Sequence, residues 1–177
     1  IDYNFGQVQL KSPEIGWTVN CGNISSAVGP YAIDEGMVKI TEPYTMVRIH
    51  NINTKKILIA KVEVKNGRAV VNGDFSIDGV PGIGSKIELD FKNTFGSATG
   101  KLLPTGNVID TLDVDGVGQI PVSIVDIAYS RLFRVVFYQG VRGTESTPDI
   151  LADTELREKL EAIRSSAAVK CGFIKPG

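Results

Sequence analysis

Cysteine and histidine are scarce: the 177 residues include only two cysteines, Cys21 and Cys171, and one histidine, His50. Small secreted domains that depend on disulfides carry more cysteine than this, so the sequence argues against that class. A Cys21–Cys171 disulfide is not expected, and two free thiols in a cytoplasmic chain are the simplest interpretation. Because no cysteines and histidines cluster at ligand spacing, the sequence indicates no metal site.

An excess of one charge and a long apolar run are both missing as well. Nineteen basic and twenty acidic residues give a formal net charge of −1, which argues against nucleic acid or an anionic membrane as partner. No apolar run in the sequence is nearly as long as the about 20 residues that span a membrane. The start lacks the features of a signal peptide and an initiator Met, so we expect a piece of a longer protein or a processed chain.

The sequence is instead rich in predicted strands, with one predicted helix near each end. Residues 24–36 have apolar residues at helical spacing, and Pro30 is expected to kink or restart that helix. The face predicted to be apolar consists of Ile24, Ala27, Val28, Tyr31 and Ala32. A second helix is predicted over 153–169, with Asp153 as its cap. Two helices with a run of strands between them, and no regular alternation of strand and helix, indicate an α+β fold.

Several strands and turns are predicted between the helices. In 45–54, Val47, Ile49 and Ile52 are assigned to the core and Asn51 to the polar side. Asn-Gly pairs at 66–67 and 72–73 predict two hairpin turns, and Asp115-Gly116 predicts another. The β-branched and aromatic run 132–138 predicts a buried strand. If the chain has two lobes, their junction is expected near 116–119.

Cys21 is the first candidate for chemistry, because it directly precedes the first predicted helix. A helix start offers unpaired backbone N–H groups and the positive end of the helix dipole, which favour a thiolate. The amides of Gly22, Asn23 and Ile24 could hold a carboxylate there. From the residues alone, an inert buried cysteine is the favoured alternative, since free cysteine is among the most buried residue types.

Two turns are weaker candidates. The glycines of 79–84, including Gly82 and Gly84, could form a nest for an anion, although an ordinary turn is favoured. In the segment 104–107, Thr105, Gly106 and Asn107 have turn chemistry, and the two polar side chains could also bind a ligand. His50 is expected to be solvated on a polar strand face. Cys171 is expected to serve packing.

The motifs NCGNISSAVGPYAIDEG, RIHNINT, GDFSIDGVPGIGSKIELDF and GKLLPTGNVIDTLDV, in this order, resemble the 2-methylaconitate cis-trans isomerase family. DYNFGQV near the start and RGTE at 142–145 fit the same family. That family is similar to diaminopimelate epimerase in fold and is related to methylitaconate Δ-isomerase and 4-oxalomesaconate tautomerase. The resemblance covers nearly the whole chain.

The resemblance implies two pseudo-symmetric lobes in the complete protein, each a β-rich barrel around a central helix. Residues 1–117 would belong to the first lobe, and 118–177 would begin the second, incomplete one. It also implies an isomerase that shifts an allylic proton of a small unsaturated di- or tricarboxylate, such as 2-methylaconitate or aconitate, without a cofactor.

The resemblance assigns Cys21 as a catalytic residue. Substrate binding is expected at Gly22, Asn23, Ile24, Gly82, Gly84, Thr105, Gly106 and Asn107. A lysine that the family is thought to use in proton transfer would lie outside these 177 residues. The segment 127–139 departs from the family pattern.

Two alternatives remain open from the sequence. One is an epimerase or racemase of the same fold that uses two thiols, although Cys171 matches no catalytic position of the family. The other is a non-catalytic fragment that keeps a carboxylate-binding site. The resemblance leaves a homodimer open.

Overall fold

A computed structural model of the chain describes residues 1–18, 20–127, 133–134 and 144–174. The elements in chain order are β1 Asp2–Tyr3, β2 Gln7–Val8, β3 Ile15–Gly16, α1 Gly22–Asp34, β4 Tyr44–Asn51, β5 Lys56–Lys65, β6 Arg68–Ala69, β7 Glu88–Asp90, β8 Asp110–Val114, β9 Gly118–Ile124, β10 Phe133–Arg134, α2 Thr147–Ala152 and α3 Thr154–Lys170. The described residues therefore have the predicted α+β composition. No helix among them is long and apolar enough to cross a bilayer.

The chain divides into two compact units, Ile1–Ser97 and Ala98–Gly177. Residues 116–119, where the junction of the lobes is expected, lie within the second unit, where β8 and β9 form one antiparallel hairpin. The pairing of Val114 with Gly118 closes that hairpin around the predicted Asp115-Gly116 turn. Which lobe of the complete protein each unit represents stays a prediction.

The first unit is a sheet in the order β1-β4-β5-β6, with β7 also paired to β5, and α1 packs against it. Strand alternation explains the core, because every second residue of β4 and β5 is buried. The buried apolar residues are Ala32, Ile33, Val47, Ile49, Leu58, Ala60, Val62 and Val64. The predicted hairpin at Asn66-Gly67 is confirmed, since it joins β5 to β6.

The alternation also corrects one assignment in β4. Asn51 is fully buried on the core face, whereas Ile52 is 45% exposed. The period of two that buries Val47 and Ile49 continues to Asn51. The sequence prediction was wrong here because it placed the apolar residue inside against the strand period.

A second correction concerns the Asn72-Gly73 pair, which is not a hairpin turn. A Cβ at Gly73 would lie 2.5 Å from the carbonyl oxygen of Gly84. Glycine is therefore required by the close approach of two backbone segments. The chain turns later, where Phe75 and Gly84 form an antiparallel bridge.

Helix α1 is continuous through Pro30, without the predicted restart. Its buried residues are Ser25, Gly29, Ala32 and Ile33. Gly29 allows the helix to approach the sheet closely, since a Cβ there would lie 2.9 Å from Cγ2 of Val62. The predicted apolar face is largely not the buried one, since Ile24 and Tyr31 are more than half exposed. They line a groove of ≈ 380 Å³ together with Tyr3, Val28 and Met37.

In the second unit, the sheet order among described strands is β10-β9-β8, and α3 packs on β8. Its core consists of Leu112, Val114, Ile120, Val122, Ile124, Ile163 and Ala167. The predicted cap of α3 is confirmed: the side chain of Asp153 accepts a hydrogen bond from Leu156 N. Of the strand predicted over 132–138, Phe133 and Arg134 pair with β9; the rest, and Arg142 of the RGTE motif, lie outside the described residues.

Candidate active site

Cys21 occupies the N-cap of α1, as the sequence predicted for a cysteine directly before a helix. Its backbone is extended, with φ −122° and ψ 114°, and its carbonyl accepts the first helical hydrogen bond from Ser25 N at 2.9 Å. The side chain of Cys21 makes no capping hydrogen bond to this helix. The first-turn amides of Gly22, Asn23 and Ile24 thus follow directly after a half-buried thiol.

A buried polar cluster lies beneath this helix start and consists of Asn20, Ser25 and Asn51. All three are at most 5% exposed. The side-chain oxygen of Asn20 accepts from Asn51 Nδ2 at 3.0 Å and lies 2.9 Å from Ser25 Oγ. Ser25 Oγ is also 2.7 Å from the carbonyl oxygen of Cys21, so its one hydrogen serves one of these two acceptors at a time.

Asn51 ties the polar cluster to the sheet. Its own oxygen accepts hydrogen bonds from Thr54 N at 2.8 Å and from Thr54 Oγ1 at 3.0 Å. Buried polar groups are stable when they are paired with one another, and such networks restrict the backbone to one arrangement. The cluster therefore holds the Asn20–Cys21 segment in place at the end of β4.

This arrangement can perform two kinds of chemistry. The backbone amides of a helix start and the helix dipole favour a carboxylate or another anion. A thiol at the same place can give up or accept a proton. The polar cluster is neutral, so it places no negative charge against an anionic ligand.

The two glycines of the second candidate lie in a loop of the first unit. Gly84 and Phe75 exchange backbone hydrogen bonds of 3.0 and 3.1 Å, which close the loop, and Gly82 is exposed within it. The loop is thus a turn, which was the favoured interpretation. Binding of a ligand at Gly82 and Gly84 stays a prediction.

The third candidate belongs to the second unit, where its two polar side chains bind Asp110. Thr105 Oγ1 donates to Asp110 at 2.6 Å and Asn107 Nδ2 donates to it at 3.0 Å, while Gly106 forms the turn between them. Lys170 Nζ lies 3.4 Å from the same carboxylate, whose side chain is 2% exposed. These bonds give Thr105 and Asn107 a structural role, and their binding of a ligand stays a prediction.

The charge of Asp110 is stabilised by these partners. Burial alone would raise the pKa of this carboxyl group, but hydrogen bonds from Thr105 and Asn107 and the charge of Lys170 outweigh it. The pKa of Asp110 is therefore held below its ordinary value, and the group is a carboxylate at neutral pH. It serves the turn 104–107 as an acceptor.

The remaining candidates have the roles expected of them. Cys21 and Cys171 are both free thiols. Cys171 packs against the core of the second unit, which confirms the packing assignment. His50 is 40% exposed in its side chain and pairs with Asp2 at 2.9 Å.

Sequence reasoning missed Ser25, Asn51 and Tyr3 near Cys21. Ser25 was hidden in a helix whose buried face was assigned by hydrophobicity, although Ser25, Gly29 and Ile33 recur at intervals of four. Asn51 could have been found by strict alternation from Val47. Tyr3 had no sequence signal, because β1 reaches this site only by pairing with β4.

Known proteins that resemble this chain agree with the fold described above. The sequence model of a family described as PrpF protein matches residues 1–176. A crystal structure of methylitaconate-delta-isomerase superposes with a TM-score of 0.86 and 46% identity, over 99% of this chain and 45% of that one. The chain is therefore similar in both sequence and fold to one part of that protein.

Curated relatives include several named isomerases. The 3-methylitaconate isomerase of Eubacterium barkeri is 49% identical over 98% of this chain and 45% of its own length. The 2-methyl-aconitate isomerase of Shewanella oneidensis is 34% identical over 99% and 46%. The (4E)-oxalomesaconate Delta-isomerase of Novosphingobium sp. is 37% identical over 93% and 44%. The chain thus spans about half the length of the curated relatives it matches.

Proposed function

Because the chain belongs to the PrpF protein family, we propose that the complete gene product is an isomerase of small unsaturated di- or tricarboxylates, such as 2-methylaconitate or aconitate. The observation that carries this proposal is the position of Cys21 at the N-cap of α1. The names of the relatives supply the class of reaction and of substrate.

The reaction is an allylic proton shift. A base removes a proton from the carbon next to the C=C bond, and the electron pair spreads over the allylic system onto a carboxylate. A proton is then returned at another position or from another face, so that the double bond moves or changes geometry. Atoms and charge balance, and the step requires no oxidant.

The residues of α1 have distinct roles in this reaction. The amides of Gly22, Asn23 and Ile24 stabilise the charge that develops on the substrate carboxylate, because they are oriented before the reaction begins. Cys21 is one member of the acid–base pair, since it directly precedes those amides and its thiol can exchange a proton. The polar cluster holds Cys21 and these amides in their relative positions. We assign no second acid–base group to the 177 residues.

The test is an ultraviolet assay of the complete gene product with 2-methylaconitate, aconitate and 3-methylitaconate. We expect an absorbance change with at least one acid, and incorporation of deuterium into the product in D₂O. Cys21→Ala should lower kcat by at least about 100-fold, the range of general acid–base catalysis. Cys171→Ala is the matched control and should remain within about twofold of the wild type.

Three outcomes would contradict the proposal. A folded complete protein that changes none of these acids is not an isomerase of this class. Isomerisation without deuterium uptake argues against a proton shift that exchanges with solvent. Normal turnover of Cys21→Ala removes the thiol from the mechanism.

A further inference from the structure

The side-chain amide of Asn20 has one orientation, which the hydrogen bonds around it require. The backbone N–H of Thr54 can only donate, so the Asn51 atom 2.8 Å from it is the side-chain oxygen. Asn51 therefore presents its Nδ2 group to Asn20 at 3.0 Å, and the atom that accepts this bond is Asn20 Oδ1. The Ser25 hydroxyl lies 2.9 Å from the same oxygen. The nitrogen Nδ2 of Asn20 is thus the group that the polar cluster does not use.

This nitrogen has no hydrogen-bond partner among the residues that the structure describes, although Asn20 is only 5% exposed. Buried amide groups are nearly always paired, because the loss of a bond to water is costly. Nδ2 is not one of the completely enclosed unpaired atoms in the described part of the chain, so it faces a small opening to solvent. That opening lies on the side of the amide group away from Ser25 and Asn51.

The opening is next to the start of α1, because Asn20 directly precedes the N-cap residue Cys21. Consecutive Cα atoms are about 3.8 Å apart, so the short asparagine side chain keeps Nδ2 within about 8 Å of the Cα of Cys21. The contact with the Ser25 hydroxyl holds this side chain against the first turn of the helix. A buried side chain therefore presents an unused donor at a helix start, where an anion is favoured.

An anion at this helix start has to be held by the neutral donors of the surrounding segment. The chain has no charged residue between Glu14 and Asp34, and the polar cluster is neutral. A carboxylate has two oxygens that together accept about four hydrogen bonds. Backbone amides and the side-chain amide of Asn20 are the donors that this segment offers to them.

We propose that Asn20 is a substrate-binding residue, whose side-chain nitrogen donates a hydrogen bond to a carboxylate oxygen of the ligand at the start of α1. A carboxylate acceptor makes this a charge-assisted hydrogen bond, which is the stronger class. Because Ser25 and Asn51 fix the oxygen of the same amide, the donor is oriented before the ligand binds and loses little freedom on binding. This inference rests on the proposed function, in which the ligand is a small unsaturated polycarboxylate.

The test is Asn20→Asp in the complete gene product, with the binding of tricarballylate measured by calorimetry. Tricarballylate is a saturated tricarboxylate, so it can bind but has no double bond to shift. The variant keeps an oxygen for Ser25 and Asn51, but it replaces the donor by a carboxylate oxygen that repels the ligand. We expect Kd to rise at least about tenfold, since hydrogen bonds to charged groups are worth more than neutral ones. Asn72→Asp makes the same change at an exposed position of the same unit and should leave Kd within about twofold.

A pH series separates the loss of a donor from damage to the fold. Burial raises the pKa of a carboxyl group, so the group introduced by Asn20→Asp becomes protonated as pH falls from about 8 to about 5.5. In its protonated form it can donate again. The ratio of the variant's Kd to that of the wild type should therefore fall toward one, whereas a distorted helix start would give the same ratio throughout. KM for any acid that is isomerised should rise together with Kd.

Several results would overturn the role of Asn20. An unchanged Kd in Asn20→Asp would mean that water, and not the ligand, is the partner of the nitrogen. An equal rise in Asn72→Asp would indicate a general effect of charge, and a ratio that does not respond to pH would give Asn20 a role in the fold alone. A wild type that does not bind tricarballylate would lack the carboxylate site itself.

The proposed function fails separately. If Asn20→Asp weakens tricarballylate binding as expected but no unsaturated acid is isomerised, Asn20 still binds a carboxylate and the isomerase assignment is wrong. If isomerisation occurs while Asn20→Asp keeps the Kd and KM of the wild type, only the role of Asn20 is wrong.

Discussion

The two cysteines lie at opposite ends of two helices. Cys21 is the N-cap of α1, and Cys171 is the C-cap of α3. The dipole of a helix is positive at its start and negative at its end, so an anionic ligand is favoured beside Cys21 and disfavoured beside Cys171. Whether a cysteine lies at the start or at the end of a helix therefore decides which ligand charge its surroundings favour.

The polar groups around the two thiols extend this difference. Beneath Cys21 the polar cluster is neutral. Near Cys171 two carboxylates, Asp110 and Asp126, are buried to 4% and 3% exposure. Burial first, then the charge of Asp110 and last that of Asp126 raise the pKa of Cys171, while the charge of Lys170, whose effect lies between those of the two carboxylates, lowers it. A site for an anionic substrate fits the first environment and not the second.

The largest effect on this comparison is expected from Asn51→Ala. The change removes the donor to Asn20 and the acceptor for Thr54 from a fully buried position. Lost buried hydrogen bonds and the space left behind should cost about 2–4 kcal/mol of unfolding free energy. Because Asn20 anchors the Cys21 backbone, Cys21 should also lose reactivity toward iodoacetamide. Denaturant unfolding and alkylation measure the two effects.

Asn72→Ala is the control for that experiment, since Asn72 is exposed in the same unit. Its effect should remain within about 0.5 kcal/mol. A cost of Asn51→Ala equally small would show that the polar cluster does not hold the helix start.

The sequence predicted those elements whose patterns are local. Helix α3 has its cap, its period and its final glycine within one segment, and the predicted face at Ile163 and Ala167 is buried. The β8–β9 hairpin carries its turn between its two strands. Such elements are recognisable because adjacent residues determine them.

The candidate site was only partly predictable, because much of it forms between distant segments. Cys21 and the amides after it lie together in sequence, so a helix start was enough to find them. Asn20, Asn51 and Tyr3 meet only when β1 pairs with β4 and α1 packs above them. The buried face of α1 was missed for a related reason. Its residues are small because the helix lies close to the sheet at Gly29, so hydrophobicity does not identify them.

An intermediate effect is expected from Asp110→Asn, which changes the surroundings of Cys171 instead of those of Cys21. Loss of the charge weakens bonds from Thr105, Asn107 and Lys170, at a cost of about 1–2 kcal/mol at neutral pH. Because the folded-state pKa of Asp110 is lowered, its contribution is present above the unfolded value of about 3.9 and is lost as pH falls through the folded value. Unfolding measured across acidic pH should therefore show a flatter dependence for the variant.

The same variant should make Cys171 more reactive, because one of the negative charges that raise its pKa is removed. Asp113→Asn is the control, since Asp113 lies on the same strand and is exposed. Equal alkylation of Cys171 in Asp110→Asn and Asp113→Asn would mean that burial alone sets its reactivity.

The smallest effect is expected from Cys21→Ser, which should stabilise the protein while it removes the thiol. The backbone of Cys21 already has the extended conformation of an N-cap, and its own side chain does not cap α1. A serine hydroxyl there can accept from the amide of Ile24, for a gain of about 0.5 kcal/mol. Cys21→Ala offers no such acceptor and is the matched control. Denaturant unfolding should rank the serine variant above the wild type and the alanine variant; a serine variant no more stable than the alanine variant would show that the hydroxyl forms no capping bond. A serine variant that is more stable but has lost turnover would mean that cysteine is kept at this helix start for the reaction, at the expense of stability.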